Sequence, residues 1–177
     1  MKKILFILVV ALGVLAAWGA GAWAHLREAE DDVLDAWNLV ESNCIRRVDL
    51  IPSLIACVRD YPQLDSISSE KLLKARETAA NFVPEDLSQD NLDAFREIQQ
   101  DLDEEIDSFR SQLSSCEELM ENEGFKNLDG MLSDCHERIV NACEVYDMAA
   151  DRYEETAESF PANLLIRLFD REPKGQY

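Results

Sequence analysis

The sequence predicts an all-α protein, in which an N-terminal transmembrane helix is followed by an antiparallel four-helix bundle. Glycine and proline are scarce, at 6 and 5 of 177 residues, so long helices meet few breaks. Apolar residues recur at steps of three and four in three long windows, which is the spacing of helices that bury one face. An uncharged run from Ile4 to Ala24 precedes those windows.

The uncharged run is the first predicted element, and it is long enough to cross a bilayer. A helix rises about 1.5 Å per residue, so this run spans about 30 Å, the thickness of the hydrocarbon layer. Lys2 and Lys3 precede it, which predicts a cytoplasmic N-terminus and a bundle on the outer side of the membrane. The alternative is a signal peptide cleaved after Ala24, because Ala22-Trp23-Ala24 fits a cleavage site.

The first bundle helix is predicted from about Leu26 to Asp60, with a kink or local loosening at Pro52. A shorter second helix is predicted from about Ser69 to Phe82, capped by Ser68 or Ser69. The apolar seam of the first helix consists of Val33, Trp37, Val40, Cys44, Val48, Ile51, Ile55 and Val58.

The other two windows predict the third and fourth helices, separated by a turn at Asn122 to Gly124. Short connections place consecutive helices antiparallel, in an up-down-up-down order. An aspartate in place of Leu102 or Ile139 is expected to unfold the bundle, because it buries an unpaired carboxylate. The third seam, with Gln99 as its only polar member, consists of Leu92, Phe95, Gln99, Leu102, Ile106, Phe109, Leu113, Cys116 and Met120. The fourth consists of Phe125, Leu128, Leu132, Cys135, Ile139, Ala142, Tyr146, Ala149, Tyr153, Thr156 and Phe160.

The chain is strongly acidic, with 17 lysines and arginines against 36 aspartates and glutamates and a formal net charge of -19. Nucleic-acid binding depends on basic side chains that release counterions from phosphates, so no nucleic-acid partner is expected. The acidic run from Asp101 to Asp107 lies in a periodic helix and lacks the loop of a calcium site. We therefore expect a solvated face there, on which Asp103→Ala is nearly silent.

Several stretches of the sequence resemble the LemA family. Residues 46–55, which read Arg-Arg-Val-Asp-Leu-Ile-Pro-Ser-Leu-Ile, follow Ala36-Trp37-Asn38 and are similar to the first-helix signature of that family. Further similarity is carried by Ala75-Arg76, Arg138-Ile139, Tyr146, Tyr153, Phe160-Pro161-Ala162-Asn163-Leu164 and Leu168-Phe169. The resemblance covers almost the whole chain and is weakest from Ser88 to Glu121.

The resemblance implies a membrane-tethered, spectrin-like four-helix bundle of bacteria, in a family with no established activity. Arg46 and Asp49 are three residues apart and can pair along the helix. This cluster is a candidate contact site for a partner or for helix two. The alternative is an arginine that pairs with acids of a neighbouring helix. The candidate interaction residues are Arg46, Arg47, Asp49, Pro52, Tyr146, Tyr153, Phe160, Pro161 and Asn163.

Three residues depart from the family pattern. Gly130 and Met131 stand where polar helix formers are usual, and Asp147 stands where an asparagine often follows the tyrosine. A glycine costs a helix interior about 1 kcal/mol relative to alanine, so a loose start of the fourth helix is expected.

Five cysteines are present, which is also not part of the family pattern. Cys44 and Cys143 are expected to lie level on antiparallel helices, and a disulfide between them is one outcome in an oxidising compartment. Free thiols are the alternative, because Cys44, Cys116 and Cys135 fall in apolar seams, where a thiol is a small hydrophobic group.

No catalytic, cofactor-binding or metal-binding residue is predicted. The two histidines, His25 and His136, lack the spacing of zinc ligands, and no nucleophile or phosphate-loop motif occurs. We expect a non-enzymatic interaction or scaffolding element of the bacterial inner membrane, with an unidentified protein partner. The alternatives are an accessory or regulatory subunit of a membrane protease or other membrane machine, a cleaved periplasmic bundle, and a hydrolase.

The chain is thus divided into three predicted parts. Residues 1–24 form the anchor, residues 25–160 the bundle, and residues 161–177 a tail that packs on the bundle or at the membrane interface.

Overall fold

The computed structural model describes residues 2–64, 67–161, 163 and 175–177. The helices in these residues are α1 (Lys2–Val58), α2 (Glu70–Asn81), α3 (Gln89–Leu113), α4 (Glu117–Glu121) and α5 (Glu123–Glu158), with a 3-10 turn at Pro62–Leu64. No strand occurs in the described residues, and the predicted all-α class is confirmed.

α1 and α5 pack against each other more extensively than any other pair of helices, and they run antiparallel. Asp32 and Trp37, in order along α1, contact Arg152 and Tyr146, in reverse order along α5. α2 packs against both α1 and α3, and α4 packs against α5. The four main helices therefore have the predicted antiparallel connections.

α1 contains both the uncharged run and the first bundle helix in one continuous element, which passes through the exposed Pro52. Among the described side chains of α1, Leu26 is the first that is fully buried, and it belongs to a cluster shared with α5. In the described part of the chain, no helix has both the length and the apolar character needed for a membrane crossing.

The third helix is shorter than its apolar pattern predicts, because it ends at Leu113 and not at Met120. Ser114 Oγ donates to Ser111 O at 2.6 Å, and Ser115 Oγ donates to Gln112 O at 3.2 Å. Such local bonds compete with the helical ladder and favour its termination. Apolar spacing continues past the break because α4 buries Leu119 against the same core.

The bundle interior consists of two hydrophobic clusters stacked along the helix axes. The cluster nearer the N-terminal end of α1 includes Leu26, Trp37, Phe95, Tyr146 and Tyr153. The far cluster includes Ile51, Leu54, Leu102, Phe109 and Leu132. Among the described residues, Arg47 and Gln99 are the buried polar side chains, and they lie between the two clusters along α1 and α3.

Candidate functional site

Arg47 is a charged side chain placed inside the bundle, with only 1% of its surface exposed. It points inward from α1, whose Cys44, Val48 and Ile51 are also buried. Its guanidinium donates through Nη1 to an Asp103 carboxylate oxygen and through Nη2 to Gln99 Oε1, the latter at 2.6 Å. A buried charge requires such partners, because leaving it unpaired costs about 3 to 5 kcal/mol.

Asp103 connects this arginine to α5. One carboxylate oxygen accepts from Arg47, and the other lies 3.8 Å from His136 Nδ1. Farther along the same face, Arg110 Nε lies 2.7 Å from Asp129 Oδ1. A cleft of about 200 Å³ opens beside these groups. Arg47, Gln99 and Asp103 form a polar layer that joins α1 to α3, and the contact of Asp103 with His136 extends it to α5.

The expectation that Asp103 belongs to a solvated face is wrong. Its neighbour Asp101 is exposed, whereas Asp103 is half-buried and faces the guanidinium of Arg47. The sequence carried a signal for this pairing. Arg47 follows the seam residue Cys44 by three positions and precedes Ile51 by four, and Gln99 is the polar member of the third seam.

The other members of the Arg46–Pro52 segment do not enter this layer. Arg46, Asp49 and Pro52 are exposed, and Arg46 and Asp49 form no ion pair within the described residues. Helix two contacts the segment through the backbone, since Arg76 Nε donates to Val48 O at 3.1 Å. A groove of about 280 Å³ beside Asp49 and Arg76 separates α1, α2 and α3.

Tyr146 and Tyr153 are fully buried on α5 in the cluster near the start of the bundle. The Tyr146 ring meets Trp37 edge to face, with ring centroids 5.6 Å apart. Burial raises the pKa of the Tyr146 phenol, whose hydroxyl donates to Gly175 O at 3.0 Å. Both tyrosines therefore serve packing, and Tyr146 also holds the C-terminal segment.

Phe160 lies just beyond α5 and contacts the uncharged run of α1. Its ring meets Trp18 edge to face, with centroids 5.1 Å apart, and both rings remain largely exposed. Pro161 and Asn163 follow and are half-buried. The tail residues 162 and 164–174, including the Leu168-Phe169 pair, lie outside the described residues.

Asp147 accepts a 2.7 Å hydrogen bond from the backbone N–H of Tyr177. The structure thus gives a role to this departure from the family pattern, although an asparagine oxygen at the same position could also accept. Burial raises the pKa of the Asp147 carboxyl, while the Tyr177 bond and the Arg96 guanidinium act in the opposite direction.

All five cysteines are free, so Cys44 and Cys143 are not bridged in this structure. The two thiols belong to the same hydrophobic cluster. Burial is the main cause that raises the pKa of Cys44 to about 11 and that of Cys143 to about 12. Protonated thiols are poor nucleophiles, so thiol-disulfide exchange at these two cysteines is expected to be slow.

Gly130 lies on the exposed side of α5, which is continuous through this position. The expected loosening is therefore not visible as a break in the helix. Among the described residues, no three or more His, Cys, Asp and Glu side chains converge to hold a metal ion.

The fold and the polar layer define a class of protein, an all-helical bundle with a buried charged group where α1, α3 and α5 meet. The model of the LemA family matches residues 36–177, and the chain belongs to the LemA family. The matched region includes Arg46 and Arg47 as well as Tyr146 and Tyr153. No curated protein shows significant similarity to the chain.

Proposed function

We propose that this LemA-family protein is a membrane-tethered, non-enzymatic interaction or scaffolding element of the bacterial cell envelope. The uncharged run from Ile4 to Ala24 in the sequence carries the proposal of a tether, and the continuity of α1 from Lys2 to Val58 joins this run directly to the bundle. Because no break separates the uncharged run from the bundle, the direction of the run also sets the direction of the bundle. The bundle would then stand upright on the inner membrane, on its outer face.

Two aromatic residues support this orientation. Trp18 of the uncharged run and Phe160 at the end of α5 form an exposed pair. Aromatic side chains favour the boundary between lipid and water. Lys2 and Lys3 at the other end of the run favour a cytoplasmic N-terminus.

Membrane extraction tests the tether. The full-length protein is expected to stay in the membrane fraction at alkaline pH, whereas the double variant Val10→Arg, Val14→Arg is expected to be released. The double variant Leu34→Arg, Ile45→Arg is the matched control, because it places the same two charges at exposed apolar positions of α1 outside the run. Release of the wild-type protein at its full-length mass would contradict the tether.

The interaction role is supported by an exposed apolar surface on α1 and α5. Leu39, Val145 and Met148 are each 47% exposed or more and line a shallow depression between these helices. Contiguous apolar surface of this kind is typical of protein contact sites.

Site-specific photo-crosslinking in cells tests this role. A crosslinker at Met148 is expected to capture a defined membrane protein, and one at the exposed Asp101 on α3 is the control. Capture of a protease or transporter subunit would favour the accessory-subunit alternative over scaffolding. Equal and diffuse products from both positions would contradict a specific contact on this surface.

A further inference from the structure

Residues 175–177, Gly-Gln-Tyr, occupy a socket formed by the start of α3 and the middle of α5. The N–H of Gly175 donates to Leu87 O at 2.8 Å. Its carbonyl accepts from the Tyr146 hydroxyl at 3.0 Å. Both backbone polar groups of this buried glycine are therefore satisfied by the bundle.

The socket binds Gln176 through both the backbone and the side chain of this residue. Gln89 contributes both of its amide atoms, because Oε1 accepts from Gln176 N–H at 3.0 Å and Nε2 donates to Gln176 O at 3.1 Å. Arg96 Nη2 donates to the same carbonyl at 3.0 Å. The Gln176 amide in turn donates to Asp151 Oδ1 at 2.6 Å.

The tyrosine inserts its ring toward the core. Its centroid lies 6.1 Å from that of Phe95 and 5.3 Å from the guanidinium carbon of Arg96. Tyr177 and Cys143 are both half-buried against the same hydrophobic cluster. An aromatic ring fits this position, because it packs against the core.

The space around Gly175 excludes any larger residue at the first position of the segment. A Cβ atom on Gly175 would lie 2.8 Å from both the backbone N and the Cα of Gln89, so any larger residue collides with backbone. The socket therefore favours three successive residues in its ligand: a glycine, a residue with a hydrogen-bonding side chain, and a tyrosine. Many peptide-binding proteins form hydrogen bonds to the backbone of the peptide and hold its side chains in pockets.

We propose that this socket is a peptide-recognition site for a Gly-Gln-Tyr segment, occupied in cis by residues 175–177 and able to accept the same segment from a second copy. The proposal is independent of the membrane tether, because every group of the socket belongs to α3, α5 or the loop before α3. A tethered ligand competes at about millimolar effective concentration, so a free peptide binds well only after the resident segment has been displaced.

The experiment uses the full-length protein in mild detergent and a fluorescent peptide with the sequence of residues 170–177, amidated at its end. Gly175→Trp empties the socket by steric collision, and Gln176→Pro empties it by removing an N–H donor. Both variants are expected to bind the peptide saturably, with at least tenfold higher affinity than the wild-type chain. Peptides carrying glycine to tryptophan or tyrosine to alanine at the matching positions should not bind.

A second readout is alkylation of Cys143, followed by mass spectrometry of its peptide. Emptying the socket is expected to speed this reaction, and bound peptide is expected to slow it to the wild-type rate. Cys57, which lies in the far cluster, is the internal control and should not respond. A folded variant with neither saturable binding nor protection of Cys143 would overturn the proposal, as would equal binding of the altered peptides.

Discussion

At the scale of single residues, Arg47 shows how one position can differ in role from its neighbours in the same motif. Arg46 and Asp49 face solvent, whereas the intervening arginine is buried and holds Gln99 and Asp103. A guanidinium suits this place because its planar donors satisfy two acceptors at once. The helical repeat identifies which arginine points inward, but its acceptors become known only when α3 is placed beside α1.

Removal of Asp103 is expected to destabilise the protein. Asp103→Ala leaves Arg47 with Gln99 as its remaining acceptor on α3, and we expect a loss of about 2 to 3 kcal/mol in the free energy of unfolding. Urea denaturation of the full-length protein, followed by circular dichroism, measures this difference. Asp101→Ala removes an exposed carboxylate from the same helix and should change stability by less than about 0.5 kcal/mol. Equal midpoints for the two variants would mean that Arg47 does not depend on Asp103.

Asp147 should make stability depend on pH. Burial raises its pKa in the folded state, so folding favours the protonated carboxyl. Its contribution is most favourable below the ordinary value of 3.8 and is lost as the pH rises through the raised folded pKa. Asp147→Asn keeps an acceptor for Tyr177 N–H and removes this dependence.

Thermal midpoints of the wild type and Asp147→Asn, compared from pH 3 to pH 8, measure the effect. The thermal midpoint of Asp147→Asn is expected to rise relative to that of the wild type as the pH rises. The difference should become constant above the pKa of Asp147 in the folded state. Using the difference between the two proteins cancels the titration of the other acidic groups. A wild type that gains stability relative to the variant with rising pH would show that the paired, ionised carboxylate is favoured.

At the scale of elements, periodicity predicted what is buried better than where each helix ends. Leu102 and Ile139 lie in the core as expected, and α2 follows Ser69 as its N-cap. The end of α3 at Leu113 was missed because apolar spacing continues into α4. The seating of residues 175–177 has no periodic signal at all, since it depends on hydrogen bonds between an irregular segment and two distant helices.

Neighbouring positions on α5 offer a sharp test of the seam. Ile139 is 6% exposed and Val140 is 46% exposed. Ile139→Asp is expected to unfold the bundle, because burying an unpaired carboxylate costs several kcal/mol out of a net stability of about 5 to 15. Val140→Asp carries the same change in helix propensity and should lower stability by less than about 1 kcal/mol. Circular dichroism at 25 °C separates these outcomes, and similar thermal midpoints would contradict the assignment of the seam.

At the scale of the whole molecule, the polar layer divides one long core into two. Leucine-rich seams can slide past one another by a turn at little energetic cost, so apolar contacts alone specify alignment poorly. A buried polar group opposes such a shift, because it would lose its partners, as single polar residues do in coiled coils. Arg47, Gln99 and Asp103 therefore define the height at which α1 and α3 meet.

Replacing the entire layer should affect specificity more than stability. In the triple variant Arg47→Met, Gln99→Leu, Asp103→Leu no buried polar group is left unpaired, so the free energy of unfolding is expected to stay equal or to rise by about 1 to 4 kcal/mol. Alignment is read from the distance between spin labels, introduced as unnatural amino acids at the exposed Asp35 and Glu97. The wild type should give one narrow distance distribution, and the triple variant a broadened or double one. A single narrow distribution in both proteins would mean that the two apolar clusters align the helices without the charged layer.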